Sequence, residues 1–461
     1  MSEFPTTLHT DDALLPDGWA KHVRIEVDPL GNIASVQTGS APHGAERLAG
    51  PVLPGMASLH SHAFQRAMAG LAEVRAGSED DFWSWRELMY QFVARLTPEQ
   101  AASVAKFTYI EMLKAGYTAV GEFHYVHNDG AGQRYPNIAK MSLAHVHAAR
   151  EVGIAITLLP VLYSYGNFGG APLGARQQRF RTDPDAILEI VRAVRSSAPG
   201  NPEVRTGVAP HSLRAVDLDG LQDLIAGLGE IDPEAPIHIH AAEQMREVTD
   251  SLAFSGQRPV EWLLEHLPVD RRWCLVHATH LTETETRALA QSGAVAGLCP
   301  TTEANLGDGI FPLPTFRAAG GRIGIGCDSH VSRNPFEELR LLEYTQRLVL
   351  RRRNVTSGSL SAAVGTTLWL EAAAGGAQAL GRPMGAIAPG NRADLVVLDA
   401  ARPDLAGRSG DTIANAAVFS GSEGLVRDVM VAGRWRVREG HHPQEAKASE
   451  DYTRAVRELL A

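Results

Sequence analysis

At 461 residues the chain is too long for one simple core, so one large domain and a smaller one are expected. Apolar residues make up 44% and charged residues 21%, an ordinary enzyme-like balance, and the net charge of −10 argues against nucleic acid, whose phosphates call for a basic surface. The three cysteines (Cys274, Cys299, Cys327) cannot build a disulfide framework, and no stretch reaches the roughly 18 apolar residues of a membrane span.

The first twenty residues carry acidic groups and prolines where a secretory signal would be basic and then apolar, so a cytoplasmic protein is expected. Residues 1–50 contain short strand patterns, WAKHVRIEVD and GNIASVQTG. Eight apolar strand candidates then alternate with helical patterns: PVLPGMASLHSH, YTAVGEFHYVH, IAITLLPVLY, VRTGVAPHSL, PIHIHAAE, WCLVHATH, AVAGLCP and RIGIGCDSH. Alternation of this kind implies a parallel sheet, and eight repeats imply an α/β fold of the (β/α)8 TIM-barrel type. Strand character returns in IAPGNRADLVVLDA and VRDVMVAGRWRVREG. The expected organisation is a small flanking β-sandwich built from residues 1–50 and 382–440, a barrel over 51–381, and a closing helix over 441–461. GNFGGAPLGARQQRFRTDPD, after the third strand candidate, lies where an active-site loop belongs.

His60 and His62 stand two apart in a strand, which puts both on one face. His240, His277 and Asp328 end the fifth, sixth and eighth candidates, and Glu243 follows His240 by three residues. Burying four imidazoles and a carboxylate in apolar strands is costly unless they ligate something. Together they suggest one divalent metal, zinc first and iron(II) as its competitor. None of the five lysines lies in a barrel strand candidate, so no carbamate can bridge a second ion.

This set resembles the amidohydrolase superfamily, in particular its mononuclear aminohydrolase branch. The resemblance covers nearly the whole chain, including IAPGNRADLVVLD. It implies that His60, His62, His240 and Asp328 ligate the metal, with His277 a ligand or just outside. Asp328 would take a proton from the attacking water, His277 would hydrogen-bond to that oxygen, and Glu243 would protonate the departing nitrogen. It also suggests a homodimer.

Arg86 and Arg214, with Gln65, Tyr125 and His211 nearby, suit a small-molecule substrate with two carboxylates. HSHAFQRAMAG, WSWRELMY and HAAEQ are similar to a deiminase family of that superfamily. Its substrate carries two carboxylates and a formimino carbon, which is hydrolysed to a formyl group with release of ammonia. By that resemblance Gln65, Arg86, Tyr125, His211 and Arg214 bind the carboxylates, and Ser329 lies near the reacting group. The alternatives are an aminohydrolase of a heterocycle, an N-acyl amino acid amidohydrolase, and a barrel that binds without catalysis.

Overall fold

The computed structural model describes residues 7–74, 81–358, 361–421 and 423–461; the remaining residues of the three expected segments lie outside it. Both chain ends contribute to one sheet of eight strands. Its order is Arg434–Val437, Val426–Val431, Leu395–Leu398, Val52–Pro54, Thr7–Leu15, Gly18–Val27 and Ile33–Gln37, with Glu46–Arg47 beside Thr7–Leu15. In Gly18–Val27 the alternation of Val23, Ile25 and Val27 with Arg24 and Glu26 sends one set inward. There it joins Leu8, Ile33, Leu395 and Met430 in a separate core.

The first strand candidate divides between two sheets. Val52–Pro54 pairs with Leu395–Leu398, while Met56–Ser61 begins the barrel. Gly55 is the pivot: a Cβ there would stand 2.4 Å from Thr118 Oγ1 and 2.9 Å from Asp394 Cβ. Only a residue without a side chain lets the two sheets approach this closely.

The barrel strands are Met56–Ser61, Tyr117–His124, Ala155–Leu162, Val204–Thr206 continued by Ala209–Pro210, Ile237–Ala241, Trp273–His277, Val295–Leu298 and Arg322–Ile325. Neighbours run parallel, and the second and third are buried at every residue, as expected of strands covered on both faces. Two further parallel contacts close the ring. Val208 bridges to Ile237, and Ser61 to Asp328. At that last seam His62 N donates to Asp328 O at 3.0 Å, and Asp328 N donates to His60 O at 3.0 Å.

Helices between the strands carry their signals locally. Pro98–Ala115 opens with a reciprocal Thr97–Gln100 capping box and Pro98 in its first turn, and stops at Gly116, whose φ is +108°. Val364–Ala379 packs on the seam between strands eight and one. A Cβ on Gly375 would stand 1.8 Å from Ile323 O, so the helix can lie this close only with glycine at that position. The closing helix, Glu445–Leu460, stacks Tyr452 on Phe107 at 4.2 Å between ring centroids. The three cysteines are buried and unpaired, and among the described residues no helix is long and apolar enough to cross a membrane.

Candidate metal centre and its pocket

Three imidazoles meet at the mouth of the barrel. His60 Nε2 lies 3.1 Å from His62 Nε2 and 3.1 Å from His240 Nε2, and all three side chains are buried. The far nitrogens of two rings are already committed: His62 Nδ1 donates to Phe123 O at 2.8 Å, and His240 Nδ1 to His211 O at 3.1 Å. Those bonds fix the tautomer and leave lone pairs on Nε2. Burial holds all three rings below the ordinary histidine range, His60 down to about 3, so they are neutral at pH 7. Converging buried lone pairs repel unless a cation lies between them. Zinc–nitrogen bonds of about 2.0–2.1 Å would set tetrahedral nitrogens about 3.3 Å apart, close to what is seen. The donor set therefore fits a divalent metal ion.

Asp328 approaches the same point, with Oδ1 3.5 Å from His60 Nε2 and 3.4 Å from His62 Nε2. Burial opposes its ionisation, yet His60, His62 and His277 around it bring its pKa below the usual carboxylate value. His277 Nε2 lies 3.6 Å from Asp328 Oδ2 and 3.7 Å from Glu243 Oε1, while Nδ1 donates to Glu303 Oε1 at 3.2 Å. Burial disfavours a proton on His277, but Glu243, Glu303 and Asp328 outweigh it and raise its pKa well above normal. The position thus favours positive charge, whether a proton or a dication. Glu243 is itself pushed up to about 7 by burial, with His277 and Arg214 pulling the other way. A carboxyl so placed can both take and give a proton near neutral pH.

The backbone here is strained. His277, Ala278 and Asp328 have φ of +67°, +47° and +47°, in a region that costs L residues about 1–2 kcal/mol each. These turns aim the side chains at strands six and eight back over the barrel axis.

Of the residues expected at the site, only His60 lies wholly beneath it. His62, Gln65, Arg86, Tyr125, His211, Arg214, His240, Glu243, His277, Asp328 and Ser329 line one cavity of about 560 Å³, counting its open mouth. Gln65 Nε2 donates to Tyr125 OH at 2.8 Å, and among the described residues Gln65 Oε1 is buried without a partner. Burial and the nearby Arg214 keep His211 neutral. Ser329 Oγ lies 3.0 Å from Thr302 Oγ1. Arg86 comes from helix Phe82–Val93, and Arg214 from the segment after strand four. Among the described residues neither guanidinium forms an ion pair with a carboxylate within 4.0 Å, although Arg214 is near enough to Glu243 and Glu247 to favour their ionised forms.

The loop after strand three braces this wall. Its turn Ala175–Phe180 sends Phe180 into the pocket, while buried Arg179 donates to Leu96 O at 2.9 Å and to Val93 O. It therefore holds the C-terminal end of the helix that carries Arg86.

No residue at the mouth of strand seven had been assigned to the site, yet Glu303, just past it, fixes His277; it also accepts from Cys299 N at 2.8 Å. Its signal was a glutamate at a strand mouth, in LCPTTEAN. Glu122 on strand two was also missed. It accepts from Ser61 Oγ at 2.7 Å, Ala63 N at 2.9 Å and Tyr109 OH at 3.0 Å, bracing both sides of His62. His124 and His127 point elsewhere, the latter to Val161 O at 3.1 Å.

Residues 52–436 match the Amidohydrolase family, and residues 5–50 match the N-terminal domain of formimidoylglutamate deiminase HutF. The chain is 53% identical to the formimidoylglutamate deiminase of Pseudomonas aeruginosa, over 99% of this chain and 100% of the relative. A 5-methylthioadenosine/S-adenosylhomocysteine deaminase of Natronomonas pharaonis is 30% identical over 83% of this chain and 80% of its own. Among solved structures, an amidohydrolase from Brucella melitensis superposes with a TM-score of 0.93 at 47% identity, covering 99% of this chain and 100% of that one.

Proposed function

The chain belongs to the amidohydrolase family, and from that premise we propose that it hydrolyses N-formimino-L-glutamate to N-formyl-L-glutamate and ammonia. The observation that carries this reading is the pair of guanidinium groups, Arg86 and Arg214, facing a cavity floored by three imidazoles and two carboxylates. The near-full-length likeness to the Pseudomonas deiminase supports the same substrate.

His60, His62, His240 and Asp328 would hold one divalent metal, zinc in preference to iron(II), with His277 at or just outside the ligand set. When bound, such an ion supplies Lewis acidity that lowers the pKa of water from 15.7 to about 7. Arg86 and Arg214 clamp the two carboxylates, helped by Gln65, Tyr125 and His211, and so orient the formimino carbon over the metal ligands. Asp328 accepts the proton of the attacking water. His277, held by Glu303 through Nδ1, presents Nε2 to the oxygen that adds to the carbon. Glu243 carries a proton to the nitrogen, the C–N bond breaks, and ammonia leaves as the carbon becomes a formyl group. Ser329, tied to Thr302, borders the reacting carbon.

The first test is ammonia release from N-formimino-L-glutamate by zinc-loaded protein, beside guanine, cytosine and adenosine. Release from the formimino compound alone is expected; release only from a heterocycle would sink the substrate and leave the metal site standing. Arg214→Met is expected to raise KM roughly 10- to 100-fold, the worth of hydrogen bonds to a charged group, with metal content unchanged. An unaltered KM would remove Arg214 from the carboxylate clamp. The net charge of −10 accords with a small-molecule enzyme that binds no nucleic acid. A cytoplasmic homodimer completes the reading; sedimentation giving a monomer would overturn the dimer.

A further inference from the structure

One aromatic ring in this region has no part in the scheme above. Trp83 sits in the first turn of helix Phe82–Val93, where Asp81 accepts hydrogen bonds from the Trp83 and Ser84 N–H groups. Guanidinium groups from three separate segments gather on its indole. Arg86, one turn along the same helix, lies 4.3 Å from the ring centroid; Arg246, from helix Met245–Ser255, lies at 4.5 Å; Arg214 lies at 5.5 Å. All three fall inside the cation–π range of about 6 Å.

Three like charges on one ring repel one another, and the neighbouring Arg214 adds to burial in lowering the proton affinity of Arg86. Among the described residues the ion-pair partner of Arg246 is its own helix neighbour Asp250, at 3.8 Å. Exposure is graded: the Arg246 side chain is 61% exposed and Arg214 is 7% exposed. Exposure thus falls from Arg246 through half-buried Arg86 to buried Arg214, and only the latter two line the pocket.

We propose that Trp83 is a positioning residue that holds Arg86 and Arg214 side by side on its π face, and that Arg246 is the outer cation that selects dianionic substrates. This rests on the dicarboxylate reading of the pocket. Arg246 meets the incoming dicarboxylate first, and the indole keeps the two inner guanidinium groups together until the carboxylates neutralise them.

Glutarate, a dicarboxylate of the same spacing, is the binding probe, titrated calorimetrically into zinc-loaded protein while turnover of N-formimino-L-glutamate is followed separately. Arg246→Gln is expected to weaken glutarate binding and raise KM by about tenfold, to leave kcat within about twofold, and to flatten the fall of kcat/KM with added salt. Trp83→Leu is expected to raise KM similarly, and Trp83→Phe to restore most of the loss, because a phenyl face still holds a guanidinium. Unchanged glutarate affinity and salt dependence in Arg246→Gln would overturn the selecting role. Equal losses in Trp83→Leu and Trp83→Phe, in kcat and melting temperature rather than KM, would make Trp83 a packing residue alone. Wild-type protein that binds glutarate through Arg246 yet releases no ammonia would support this inference while overturning the substrate.

Discussion

Glu243→Gln is expected to cut turnover of N-formimino-L-glutamate by about 10³-fold or more while metal content stays at the wild-type level. The amide keeps the shape and the volume of the side chain, so the pocket wall is preserved. What it loses is the ability to bind and release a proton beside the departing nitrogen. The carboxyl is suited to that task because burial raises it to about 7 while His277, at 3.7 Å, keeps its ionised form within reach. A wild-type rate in the variant would move the proton transfer elsewhere, with Asp328 the remaining carboxyl at the floor. Loss of metal along with activity would instead make Glu243 part of the ion's support.

Removal of the metal by a chelator is expected to abolish activity, and zinc or iron(II) to restore it. A second readout does not depend on turnover. An ion present at a thousand times its dissociation constant stabilises the folded chain by about 4 kcal/mol, so the melting temperature should fall on chelation and recover on reloading. Stripping the ion leaves three converging buried lone pairs, with His62 Nε2 and His240 Nε2 each 3.1 Å from His60 Nε2, which adds to the loss. Full activity in protein with far less than one equivalent of metal would refute the metal assignment.

The candidate metal ligands were legible because strand geometry is local. Residues two apart share a face, so His60 and His62 announce themselves, and polar residues ending otherwise apolar strands mark His240, His277 and Asp328. Arg86 was harder to read. A helical arginine is commonplace, and only the packing of Phe82–Val93 across the barrel mouth, fastened by Arg179, gives it a direction. Glu303 and Trp83 were not assigned at all, for a related reason. Their partners come from other segments, His277 in one case and Arg214 and Arg246 in the other, and such meetings depend on the tertiary fold. The division of PVLPGMASLHSH between two sheets was likewise invisible to hydrophobic pattern, which runs unbroken through Gly55. It depends on strand Leu395–Leu398, more than three hundred residues later, arriving to pair with Val52–Pro54.

The seam between the first and last barrel strands has a consequence for how the protein is made. Ser61 and His330, hydrogen-bonded at 2.8 Å, are 269 residues apart in the chain. At about 5–20 residues per second, a ribosome needs roughly 13–54 s to travel from one to the other. Throughout that time His60 and His62 have left the tunnel without Asp328, and the strand they occupy has one neighbour instead of two. The small sheet waits longer still, because Val52–Pro54 lies between strands from the two ends of the chain. A nascent chain arrested before residue 328 can therefore neither close the ring nor complete the candidate ligand set. A truncated product would be left with an open, apolar sheet edge for chaperones to cover.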